Sequence, residues 1–84
     1  MKEKIIEASS GKLDSLGVFI DDVYVVNEDN EKTLTIVLDS EEVIDLSKVV
    51  MATRILNPII DKLDLIEESY TLDVYAKSKE EGDE

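Results

Sequence analysis

The sequence predicts an α+β domain, a two-layer αββαβ sandwich with a three-stranded sheet and two helices on one face. Three observations predict it. Apolar residues recur at helical spacing near the N-terminus and again from Leu46 to Leu63. They alternate with period two between Val18 and Leu38, and a short alternating segment, Tyr70 to Ala76, follows the second helical pattern. Helices and strands mixed in that order over 84 residues fill one domain with a single core and leave no room for a second.

The first helix is expected over Met1 to Leu16, with Ile5, Ile6, Leu13 and Leu16 near one side and Gly17 ending it. Ser9-Ser10-Gly11 weakens it midway, but the apolar positions keep helical phase across the gap. Beyond Gly17, Val18 and Ile20 share a face, as do Val23 and Val25. Ile20 and Val23 are three apart, so both reach one core only if a bulge near Asp21-Asp22 absorbs a residue. The polar run from Asn27 to Lys32 reads as a hairpin loop, and Leu34, Ile36 and Leu38 alternate with Thr33, Thr35 and Val37 on the second strand.

Asp45 is placed to cap the second helix, along which Leu46, Val49, Val50, Thr53, Leu56, Ile60 and Leu63 recur. Pro58 inside it costs ~3 kcal/mol in an exposed helix. Leu56, Ile60 and Leu63 stay in phase across the proline, which favours one kinked helix to about Lys62 over two. The third strand carries Leu72 and Val74 on its core side. The expected core is Ile6, Leu16, Ile20, Val23, Leu34, Ile36, Leu38, Val49, Val50, Leu56, Leu72 and Val74. The domain spans residues 1–76, and 77–84, charged and without large apolar side chains, reads as a flexible acidic tail.

Nine basic and 21 acidic residues give a net charge of −12, which repels phosphate backbones and anionic membranes and favours a basic partner. Direct nucleic-acid binding is disfavoured. Without cysteine or histidine, disulfides, thiolate and histidine nucleophiles and the usual zinc sites are excluded. No segment approaches the ~18 apolar residues of a membrane span, so a cytoplasmic location is expected.

Asp39, Glu41, Glu42 and Asp45 crowd one loop, but without the glycine and spacing of an EF-hand they read as solvated acids. Asp21 and Asp22, neighbours on a strand, point to opposite faces and suit shared acid/base work poorly. Asp22 fits a structural role at the bulge, and Asp21 an exposed position free to meet a basic partner. The hairpin-loop acids Glu28, Asp29 and Glu31 extend that acidic face. The glycines are too scattered for a phosphate loop, and no cofactor motif is present. Arg54 reads as one half of a structural ion pair. Tyr24, Tyr70 and Tyr75 could stack bases, but without surrounding lysines and arginines they read as packing at the edge of the core.

Several local strings fall in a recognisable order: Leu16-Gly17 followed by Ile20, Asp22 and Val23; Leu34-Thr35-Ile36-Val37-Leu38-Asp39; Ile44-Asp45-Leu46-Ser47; Thr53-Arg54; and Tyr70-Thr71-Leu72-Asp73-Val74. In this order and spacing, over about residues 3 to 76, the chain resembles the N-terminal domain of the ribosome maturation factor RimP family. Members of that family continue through a Ser-Ser-Pro-Gly type junction into a small barrel. The corresponding residues here are Tyr75-Ala76-Lys77-Ser78, and the 84 residues include no barrel, whether because the chain is a piece of a longer protein or a naturally short relative, so contacts made by the barrel are not carried over. The resemblance implies a non-enzymatic factor that binds the small ribosomal subunit during late assembly, with a basic ribosomal protein as its contact. The rival from another class is a structural domain that self-associates through a sheet edge. An enzyme comes last, since no nucleophile and base are paired.

Overall fold

The computed structural model describes residues 2–77 as two α-helices and a three-stranded mixed sheet, an α+β fold. The order is α1 (Lys2–Ala8), a 3₁₀ turn (Asp14–Leu16), β1 (Phe19–Glu28), β2 (Glu31–Asp39), α2 (Leu46–Leu63) and β3 (Thr71–Ala76). β2 is central, antiparallel to β1 and parallel to β3.

The single helix expected to Leu16 is instead broken at Ala8. The Ser9 hydroxyl donates to the Ile5 carbonyl at 2.8 Å, and Lys12 N–H turns back to the Ser9 carbonyl at 2.9 Å. The Ile5 carbonyl also keeps its helical bond from the Ser9 N–H at 3.0 Å, so the hydroxyl adds a second donor to the last turn, a bonding pattern that slightly weakens a helix. Gly11, at φ 79°, then takes a left-handed conformation that no helix continues. Local preference outweighed apolar phase. The core list changes with it: Ile5, 0% exposed, is the buried anchor of α1, whereas Ile6 is 38% exposed.

The bulge falls where the apolar spacing required it. Ile20 faces Leu38 and Asp22 faces Val37, so Asp21 is the extra residue. The hairpin loop is shorter than the polar run suggested. Pairing continues to Glu28 and Glu31, leaving a two-residue turn of Asp29 and Asn30, with φ 50° and 66°. Positive φ at both positions is what a type I′ turn demands, and Asp and Asn bear it better than most residues. That register places Glu28 directly opposite Glu31. Like charges so placed repel, so Glu31→Lys is expected to stabilise the domain by ~0.5 kcal/mol. Thermal melts should show the gain at low salt and its decline as salt is raised.

α2 runs unbroken through Pro58, as the continuous apolar phase implied. Asp45 caps it, accepting the Lys48 N–H at 3.0 Å, and Asp64 ends it in a left-handed conformation. Its buried side is Ala52, Leu56 and Ile60, while Val49 is half-buried and Val50 is 42% exposed. Val50 thus leaves the expected core, because it lies a third of a turn away from the Ala52, Leu56 and Ile60 stripe. The core brings these three together with Ile5, Leu13, Val18, Val23, Leu34, Ile36 and Leu38. Leu16, Ile20, Leu72 and Val74 pack against it half-buried. Lys77, which the sequence assigns to the tail, donates its N–H to the Leu38 carbonyl at 2.7 Å. The remainder of the expected tail, 78–84, lies outside the described residues.

Candidate functional site

Strand alternation gives the sheet two faces. Leu34, Ile36 and Leu38 of β2 enter the core, so Thr33, Thr35, Val37 and Asp39 point the other way, to what is here called the open face. The register then assigns its rows from β1 through β2 to β3. Asp22, Val37 and Tyr75 form one row; Tyr24, Thr35 and Asp73 the next; Val26, Thr33 and Thr71 the third. Phe19 stands opposite Asp39 at one end, and Glu28 opposite Glu31 at the other.

Two tyrosines cross this face. The Tyr24 and Tyr75 hydroxyls lie 3.0 Å apart, joining β1 to β3 above the central strand. Both are exposed, whereas Tyr70 is half-buried and packs against the core. Packing at the edge of the core therefore holds for Tyr70 and is corrected for Tyr24 and Tyr75. The signal was present in the sequence: the alternation that puts Val23 and Val25 inside obliges Tyr24 to face outward. The hydrogen bond to Tyr75 holds the Tyr24 hydroxyl's pKa above its ordinary value, with partial desolvation and the carboxylates of Asp22 and Asp73 adding to the rise.

The predicted contact acids are not gathered at one point. Asp21, expected to be exposed and free, is half-buried at the bulge and pairs with Lys77 at 3.5 Å. Glu28, Asp29 and Glu31 lie at the hairpin tip, seven residues and about 23 Å further along an extended strand. Asp22 accepts the N–H of Val23 at 2.9 Å, a structural role at the bulge, and stays exposed beside Lys2 at 3.6 Å.

The other acidic cluster serves the backbone. Asp39 accepts the Ser40 N–H at 2.8 Å, the Ser40 hydroxyl bonds the main chain of Glu42, and Asp45 caps α2. No group of three acidic side chains among the described residues is placed to hold a metal. Arg54 is exposed and makes no ion pair among the described residues, against the structural pair expected for it. No described helix is long and apolar enough to cross a membrane. The open face thus sets the carboxylates of Asp22 and Asp73 beside the exposed rings of Tyr24 and Tyr75. Residues 10–76 match the family model described as the RimP N-terminal domain.

Proposed function

This chain belongs to the RimP N-terminal domain family, that of a ribosome maturation factor, and from that membership we propose a non-enzymatic domain that binds the small ribosomal subunit during assembly, in the cytoplasm. Its contact there is a basic ribosomal protein. The family match over residues 10–76 carries the reading. A net charge of −12 supports the partner class, since it draws in a cationic protein and repels bare RNA.

The proposed contact residues are Asp21 at the bulge and Glu28, Asp29 and Glu31 at the hairpin tip, about 23 Å away along β1. Exposed pairs contribute only ~0–1 kcal/mol each, so affinity rests on several of them and falls as salt screens the field. The test is co-sedimentation with purified small subunits at low and moderate salt. Glu28→Lys, Asp29→Asn and Glu31→Lys together exchange one like-charged cross-strand pair for another and keep a residue tolerant of positive φ in the turn. Circular dichroism should therefore change little while association slows several-fold. Wild-type chain that failed to co-sediment even at low salt would refute the reading.

Self-association through the outer edges of β1 or β3 is the rival, supported by their position at the margins of the sheet. It must bring together two chains of net charge −12, which weighs against it.

A further inference from the structure

Four side chains of the open face form a crossed arrangement. Asp22 and Tyr75 flank Val37 in one row, and Tyr24 and Asp73 flank Thr35 in the next. The tyrosines thus occupy one diagonal and the carboxylates the other. Because the two hydroxyls meet 3.0 Å apart above β2, both rings lean inward across the central strand. Thr35 and Val37 are accordingly 4% and 6% exposed, although they point away from the core. The outer surfaces of the rings remain in water, at 40% exposure for Tyr24 and 42% for Tyr75.

Aromatic faces attract cations, and flanking carboxylates select positive charge again. A planar guanidinium satisfies both, since it stacks on a ring while its edge N–H groups donate to a carboxylate. An ammonium gains the charge attraction without the stacking. Nucleic-acid bases could stack too, but their phosphates would meet a chain of net charge −12. Lys2 beside Asp22 is no obstacle, because an exposed ion pair of this kind is readily exchanged. We propose that the open face binds arginine side chains of an extended protein segment, stacked on Tyr24 and Tyr75 with their N–H groups toward Asp22 and Asp73. The face continues past Val26 to Glu28 and Glu31, about 20 Å from Asp22, a length that about six extended residues span. This deepens the proposed binding of a basic protein and rests on that reading for the partner's identity, whereas the preference for arginine rests on the face alone.

The experiment is an NMR titration of the full ¹⁵N-labelled chain with a capped peptide alternating glycine and arginine, a matched glycine-lysine peptide and a short oligouridylate. The arginine peptide is expected to shift resonances of β1 and β3 around Tyr24 and Tyr75, and to bind roughly three- to tenfold more tightly than the lysine peptide. Tyr24→Leu with Tyr75→Leu keeps an apolar cover over Val37 and should abolish the preference. Tyr24→Phe with Tyr75→Phe, which keeps the rings and removes the hydroxyls, should retain it. Equal affinity for the two peptides, a preference surviving in the leucine variant, or oligouridylate shifting the same resonances overturns the proposal. Co-sedimentation separates the two readings. Leucine-variant chain that binds small subunits as well as wild type sinks the arginine face and leaves the ribosomal reading standing. Selective arginine binding by a chain that ignores small subunits does the reverse.

Discussion

Ile36→Ala is expected to cost ~2–5 kcal/mol, the loss typical of truncating a fully buried isoleucine. Ile36 is fully buried at the middle of the central strand, paired with Val23 of β1 on one side and Val74 of β3 on the other. A cavity there is walled by three strands and by helical residues, so little can collapse into it. A domain of this size has roughly 4–13 kcal/mol in total, and the variant should approach the threshold of folding. Urea titration is the measurement: the midpoint should fall sharply with an unchanged slope, as when stability changes and two-state behaviour is kept. A loss below ~1 kcal/mol would mean that β2 is not the closed centre of the core.

A second large effect separates two adjacent residues. Ile5→Ala should cost ~2–4 kcal/mol, and Ile6→Ala less than ~1 kcal/mol, because only Ile5 is closed to solvent. A seven-residue helix has no stability of its own, so α1 holds its place through packing against the core. Removing Ile5 should therefore detach it, and hydrogen exchange of Lys4 to Ser9 should accelerate in Ile5→Ala and not in Ile6→Ala. Equal losses from the two variants would show that α1 rotates freely on the core.

These two residues mark the boundary of what the sequence could convey. The bulge, the Asp45 cap and the unbroken α2 were legible because each follows from a local rule: pleat period, capping chemistry, helical phase. The break after Ala8 depended on which of two local tendencies won: the Ile5 carbonyl accepts both the N–H and the hydroxyl of Ser9, and the chain then turns away through the left-handed Gly11. The turn at Asp29 and Asn30 was hidden inside a uniformly polar run, whose composition does not distinguish paired from looped residues. Two of the four acids chosen for a partner, Glu28 and Glu31, do lie at the end of the open face, whereas Asp21 is occupied by Lys77. The crossed tyrosines are hidden in the sequence for a different reason. Tyr24 and Tyr75 are 51 positions apart, and only the parallel return of β3 beside β2 brings them together.

That return also gives the chain an optical marker of its own assembly. It has three tyrosines, one phenylalanine and no tryptophan, so tyrosine emission dominates its intrinsic fluorescence. The β1–β2 hairpin closes through neighbours in sequence, whereas Thr33 must wait for Thr71 to arrive across the whole of α2. Non-local closure of that kind is the slow part of folding. Two of the three tyrosines share a hydroxyl contact only once β3 has arrived, so part of the native tyrosine emission reports the docking of the strand that is last in sequence.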